Sequence, residues 1–100
     1  MNVELRDEAL DDLENGAIFY GEQCVGLDDY FLTCLREDIK KLETTGGVHE
    51  KYHGFYRSLS NRFPYAIYYL IVEEVVDVVA VLDCRQDPAK LNTRLGRTKR

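Results

Sequence analysis

Three arginines are the residues in this sequence whose side chains could act on a phosphate: Arg57, Arg62 and Arg85. A guanidinium presents planar donors that can hold two oxygens of one phosphate at once. The three arginines come from successive regions with the composition of strands, so we expect them to converge on one concave patch. The alternative is that they pair with some of the 18 acidic residues, because exposed arginine–carboxylate pairs are common.

The histidines and cysteines give weaker indications of a chemical site. His49, Tyr52 and His53 lie just upstream of the first of these strand regions. Two histidines beside a Gly-Gly turn, without supporting groups, fit a role in a loop or a strand start better than a proton-transfer site. The three cysteines show neither CxxC nor cysteine–histidine spacing, so we expect no disulfide framework, no metal site and no cofactor.

The charge is distributed unevenly along the chain. The net charge is -5, with -9 in residues 1–50 and +5 in residues 85–100. An acidic front half repels nucleic acid, whereas a basic tail attracts an anionic partner. We therefore take the tail as a candidate target-binding segment; the alternative is a solvated, frayed terminus. The candidate residues are Lys90, Arg94, Arg97, Lys99 and Arg100.

Hydrophobic spacing predicts which elements hold these residues. Apolar residues recur three and four apart from residue 7 to about 24, and again from 27 to about 44. This spacing predicts two amphipathic helices. Because Gly26 leaves only a short connection between them, the two helices must form an antiparallel hairpin whose apolar face needs a cover.

The second half supplies that cover. Residues 55–59, 63–72 and 75–82 are rich in aromatic and β-branched residues, which predicts a three-stranded antiparallel meander. Asn2 to Arg6 could add an edge strand. The predicted fold class is α+β, with the helices packed on one face of the sheet. We expect a single domain over residues 1–100, with a basic, possibly flexible tail at 89–100.

The sequence also bears on location. The first residues contain no apolar run of the length found in a signal peptide, and no stretch is apolar enough for a membrane span. We therefore expect a cytoplasmic protein with no membrane partner.

Several short sequence motifs together resemble those of the RelE/ParE toxins of type II toxin–antitoxin systems, the plasmid-stabilisation family. The matching motifs are Ala9 with Asp12-Leu13, Tyr20 with Gln23, Gly26-Leu27 with Phe31, Phe55-Tyr56-Arg57, the block Arg62-Phe63-Pro64-Tyr65-Ala66-Ile67-Tyr68-Tyr69, and Ala80-Val81-Leu82 leading to Arg85 and Asp87-Pro88. The resemblance spans residues 9–88, and the Arg-Phe-Pro-Tyr-x-Ile-Tyr-Tyr block is its most specific part.

The resemblance implies a growth-arresting toxin with one of two targets. RelE-like members are ribosome-dependent mRNA endonucleases, and here Arg57, Arg62 and Arg85 would be the catalytic candidates. ParE-like members bind and poison DNA gyrase with no catalytic site of their own assigned. The acidic net charge favours the ParE-like branch, because a protein working among ribosomal phosphates normally needs a positive face. An inert relative that only binds its antitoxin is a third alternative.

The resemblance also implies a cognate antitoxin that folds a segment onto the toxin. Large aromatic side chains are suited to anchor such a segment. The candidate antitoxin-binding residues are Tyr20, Tyr30, Tyr65, Tyr68 and Tyr69.

Overall fold

The computed structural model describes residues 1–98 and has an α+β fold. Its elements in chain order are β1 (Asn2–Leu5), α1 (Asp7–Gln23), α2 (Leu27–Lys40), α3 (Leu42–Thr45), β2 (Lys51–Tyr52), β3 (Phe55–Leu59), β4 (Tyr65–Val72), β5 (Val75–Asp83) and α4 (Pro88–Arg97). Within this part of the chain, no helix has the length and apolar content needed to cross a membrane.

The sheet has five strands in the order β1-β5-β4-β3-β2. The predicted meander is present as β3, β4 and β5, but β1 pairs with β5 in parallel, so the sheet is mixed. The edge strand expected from residues 2–6 is present as β1, whereas its parallel pairing and the short strand β2 were not predicted. The β4–β5 turn is tight: Glu73 and Glu74 join the two strands with φ of 49° and 64°, the left-handed pair that matches the twist of antiparallel strands.

The helical hairpin forms as predicted and covers one face of the sheet. Gly26 makes the turn with φ of 87°, a conformation that glycine adopts without strain. Buried residues of α1 and α2 pack against alternate residues of β4 and β5 and form the main core. It includes Ala9, Leu13, Ala17, Phe31, Leu35, Ile39, Tyr65, Ile67, Tyr69, Val76 and Val78.

The opposite face of the sheet is also covered, which corrects the prediction of helices on one face only. Leu91 and Leu95 of α4 pack against Ala66 and Tyr68 of β4, together with neighbouring residues of β3 and β5. The segment described from the sequence as a basic tail forms a helix of 10 residues through Arg97. Its start is specified locally, because the Asp87 carboxylate accepts a hydrogen bond from the Ala89 N–H at 2.9 Å.

Candidate partner-binding groove

A groove of about 820 Å³ lies between α1 and α2 and reaches β1. Its apolar lining comes from that strand and from one flank of each helix: Val3, Leu5, Leu10, Leu13, Ala17, Ile18, Leu32 and Ile39. Charged side chains complete the lining, and acids outnumber bases among them: Glu14, Glu22, Asp28 and Glu43 against Arg36 and Lys40.

Helix geometry explains why this surface is left open. Leu10, Leu13, Ala17 and Ile18 lie three and four residues apart, so they share one broad stripe of α1. Leu13 and Ala17 turn into the core, while Leu10 and Ile18 at the margin of the stripe remain 50% and 53% exposed. The apolar stripe is thus wider than the sheet can cover.

The chemistry of the groove is that of a binding surface. Its lining contains no histidine, cysteine, serine or tyrosine, and most of its charged side chains are exposed. It can accept apolar side chains from a partner, and its acidic excess favours basic groups beside them. Sequence periodicity placed Leu10 and Ile18 with the core residues of α1, and their exposure is the feature that the sequence did not reveal.

None of the five tyrosines predicted to bind an antitoxin lines this groove. Tyr68 and Tyr69 are fully buried and Tyr65 is 8% exposed, so these three have little or no surface to offer a partner. Burial, with a smaller contribution from the Asp83 carboxylate, raises the pKa of Tyr65 to about 12. Tyr20 and Tyr30 remain as candidates for contact with a partner.

Tyr20 and Tyr30 belong to an aromatic cluster at the end of the hairpin. The Tyr20 ring stacks on Phe31 at 5.3 Å and meets Phe63 edge-on at 4.8 Å. The ring of Tyr30, which is 43% exposed, lies 5.7 Å from the Phe63 ring. These contacts form a second, smaller partly exposed surface.

Two of the predicted catalytic arginines sit beside this aromatic cluster. Arg62 donates to the Tyr30 hydroxyl at 2.9 Å. Arg85 pairs with Asp83 at 2.9 Å and reaches the Tyr20 hydroxyl at 3.4 Å. Burial opposes the charge of Asp83, but the hydrogen bonds from Arg85 lower the pKa of that carboxyl. Arg85 therefore has a counter-charge, as the pairing alternative anticipated.

Arg57 has different partners. Its guanidinium lies 5.3 Å from the centre of the Tyr52 ring and 3.8 Å from the Cys84 sulfur. Alternation along β3 puts Arg57 on the side of Phe55, which packs in the cluster under α4, whereas Arg62 contacts α2. The three arginines are therefore divided between two surroundings and do not form the single patch that the sequence predicted.

The histidines are also separated. His49 contacts the Tyr69 hydroxyl through its Nδ1, which ties the loop before β2 to the core. His53 is exposed in the β2–β3 turn with φ of 53°. Across residues 1–98, no group of three or more His, Cys, Asp or Glu side chains is arranged to hold a metal ion.

The basic residues near the end of the chain have unequal surroundings. Lys90 and Arg97 are exposed on α4, and Arg97 lies 3.9 Å from Glu8. Arg94 is only 15% exposed and pairs with Asp12 at 2.7 Å, so its charge is used within the chain. The predicted target-binding residues Lys99 and Arg100 lie outside the described residues.

Two acidic residues to which the sequence analysis assigned no role position these surfaces. Asp12 binds α4 through Arg94. Asp38, 8% exposed on α2, accepts hydrogen bonds from Ser60 Oγ at 2.6 Å and Asn61 Nδ2 at 3.1 Å. It thereby holds the β3–β4 turn that carries Arg62 against the hairpin.

The fold is similar to that of a chain in a solved structure described as "Chromosomal ParDE TA system from P. aeruginosa". The TM-score is 0.70 at 14% sequence identity, over 81% of this chain and 92% of that chain. No protein-family model and no curated protein matches the sequence. The similarity is one of fold: this chain shares its α+β architecture with a chain of that ParDE system.

Proposed function

We propose that this chain is the toxin of a type II toxin–antitoxin system, and that the groove between α1 and α2 binds a segment of its antitoxin. The observation that carries the proposal is the exposed apolar stripe at Leu10 and Ile18. It occurs in a fold similar to that of a chain from a ParDE toxin–antitoxin system. Exposed apolar surface of this kind is typical of an interaction site.

The groove favours a particular occupant. Its length runs along two antiparallel helices, so a helix with one apolar face fits it by helix-in-groove packing. Because acids outnumber bases in the lining, the occupant carries lysine or arginine beside its apolar face. Tyr20 and Tyr30 are proposed as further contacts for the part of the antitoxin that leaves the groove.

For the cellular target we propose DNA gyrase. The net charge is -5, which disfavours a position among ribosomal phosphates. Arg85 is neutralised by Asp83, and Arg57 lies apart from Arg62, so the arginines are poorly arranged for RNA cleavage. Lys90 and Arg97 on α4, with Lys99 and Arg100 after it, are the proposed contacts with gyrase or its DNA.

The test is expression of the chain alone and together with the protein encoded beside it, followed by assays on purified material. The proposal predicts growth arrest that the neighbour relieves, inhibition of gyrase supercoiling and intact mRNA. Translation arrest with cleaved mRNA and unaffected gyrase would instead establish the RelE-like endonuclease alternative. Absence of growth arrest, with the neighbour still bound, would identify an inert antitoxin-binding relative.

A further inference from the structure

Cys84, which follows β5, lies partly exposed beside a cation. The Arg57 guanidinium donates through Nη2 to the Cys84 sulfur at 3.8 Å. Of the other two cysteines, Cys24 is exposed and Cys34 is buried. Reactive cysteines are typically partly exposed and lie beside a cation, because the cation favours the thiolate and the thiolate is the nucleophile. Cys84 is the cysteine whose surroundings meet both conditions.

Two buried donors near this sulfur have no acceptor. They are the Nε of Arg57, in the same guanidinium that contacts Cys84, and the hydroxyl of Tyr68, and neither donates a hydrogen bond within residues 1–98. Tyr68 is fully buried, lies opposite Arg57 in the β3–β4 pairing and packs in the same cluster as Cys84. Buried donors are normally paired. The two donors therefore point to an acceptor that the reduced side chains do not supply.

The reduced thiol is a poor acceptor for these donors, because sulfur accepts hydrogen bonds only weakly. No carboxylate in residues 1–98 forms an ion pair with Arg57 either. Burial raises the pKa of Tyr68, so its hydroxyl keeps its proton and remains a donor at neutral pH. An oxygen atom bonded to the Cys84 sulfur would give both donors a strong acceptor.

We propose that Cys84 is oxidised reversibly by hydrogen peroxide to a sulfenic acid, whose oxygen accepts hydrogen bonds from Arg57 and Tyr68. The thiolate attacks one peroxide oxygen, so that an S–O bond forms and the O–O bond breaks. The sulfur loses two electrons to the peroxide, and the departing hydroxide takes a proton from solvent to become water. A sulfenic acid is a reversible state, from which thiol reductants regenerate the cysteine.

The oxidation site is separate from the proposed antitoxin groove, because none of Cys84, Arg57 and Tyr68 lines that groove. The backbone of Cys84 is held in place, since its N–H donates to the Pro64 carbonyl at 2.7 Å. Oxidation of Cys84 is therefore independent of antitoxin binding.

The experiment treats the intact chain with hydrogen peroxide at neutral pH in the presence of dimedone, which traps sulfenic acids, and follows each cysteine peptide by mass spectrometry. Cys24 is the internal comparison, because it is more exposed and its sulfur contacts the Val25 carbonyl oxygen at 3.7 Å. We expect Cys84 to be labelled about 10-fold faster than Cys24. Dithiothreitol added before the trap should restore the thiol. Equal labelling, or faster labelling of Cys24, would overturn the proposal.

Three variants make the test specific. Arg57→Gln should slow the labelling of Cys84 by about 10-fold, because it removes the cation beside the sulfur. Tyr68→Phe keeps the ring and removes the hydroxyl, so it should shorten the lifetime of the sulfenic acid before further oxidation. Arg62→Gln, at an exposed arginine of the β3–β4 turn, should change neither.

The buried Cys34 reports on folding in the same samples, because it is labelled only if the chain opens. Thermal unfolding gives an independent readout: oxidation should raise the Tm of the parent protein more than that of Tyr68→Phe, since the new oxygen gains the tyrosine donor only in the parent. This comparison decides the matter if Arg57→Gln fails to fold. Unchanged labelling of Cys84 in a folded Arg57→Gln protein, or equal Tm changes in parent and Tyr68→Phe, would overturn the proposal.

Discussion

Asp12 on α1 binds Arg94 on α4 through two parallel hydrogen bonds of 2.8 and 2.7 Å. The same carboxylate accepts the Val81 N–H at 3.0 Å. β1 pairs with β5 only as far as Val78, so Val81 lies where the edge of β5 is open. One carboxylate therefore joins a helix from each face of the sheet and satisfies a donor on an exposed edge.

Replacing Asp12 by Ala should lower the free energy of unfolding by about 2–3 kcal/mol, because it removes charge-assisted hydrogen bonds. Arg94 is then left with only the exposed Glu8 carboxylate, 3.1 Å from its Nε. The side chains of Arg94 and Asp12 are 15% and 10% exposed, which makes them poorly solvated. Urea unfolding measures the change. The matched control Asp29→Asn, at an exposed position of α2, should change stability by about 0.5 kcal/mol or less. Equal effects of the two changes would contradict this account of the pair.

Two glycines in helices should respond in opposite directions to alanine. A Cβ at Gly16 of α1 would lie 2.5 Å from Cζ of Phe31, so Gly16→Ala should destabilise the chain by about 1–3 kcal/mol through overpacking. A Cβ at Gly96 of α4 would meet nothing within 4 Å, so Gly96→Ala should stabilise by about 0.5–1 kcal/mol. Thermal unfolding of both variants checks the pair, and a stabilised Gly16→Ala protein would be inconsistent with the close approach of α1 to Phe31.

Asp38 should be needed to hold the β3–β4 turn. Asp38→Ala removes its hydrogen bonds with Ser60 and Asn61 and should cost about 2 kcal/mol or more, because hydrogen bonds to charged groups each contribute about 1.5–3 kcal/mol. Hydrogen exchange should show the turn opening before the rest of the sheet. Asp38→Asn, which keeps an acceptor, should lose less. Unchanged protection of the turn in Asp38→Ala would refute this role.

Tyr65 should titrate late and make the protein sensitive to alkali. Its pKa is raised from 10.0 to about 12. The unfolded chain thus loses this proton first, so stability is unaffected below pH 10 and falls as the pH rises toward 12. Ultraviolet titration of the tyrosines in the parent and Tyr65→Phe proteins should identify Tyr65 as a group with a raised pKa. Asp83→Asn should lower its pKa, and a Tyr65 that ionises near pH 10 would contradict the burial argument.

The sequence predicted the helical hairpin and the three long strands, because these elements have clear periodicity and composition. It did not predict β2, whose two residues are too few for a pattern. The parallel docking of β1 on β5 was also missed, since pairing between distant segments leaves no local signal. The amphipathic helix α4 was interpreted as a tail because only Leu91 and Leu95 form its apolar face.

The missed helix also explains the errors at the sites. With helices expected on one face only, Tyr68 was assigned to antitoxin contact, yet α4 covers it on the other face. The predicted convergence of the arginines failed because Arg57 lies within β3 on the side of α4, whereas Arg62 lies in the β3–β4 turn and contacts Tyr30 of α2. The groove was missed because Leu10 and Ile18 share the helical spacing of core residues.

Antitoxin binding to the groove is the central claim, and two neighbouring residues of α1 test it most directly. Ile18 lines the groove, whereas Phe19 does not, and they are similarly exposed, at 53% and 46%. The measurement is the affinity of the antitoxin for Ile18→Glu and Phe19→Glu, each checked for folding by circular dichroism. We expect Ile18→Glu to lose about 100-fold, because it replaces buried apolar contact with a charge, and Phe19→Glu to lose little. Equal losses, or a loss at Phe19 alone, would show that the antitoxin binds elsewhere.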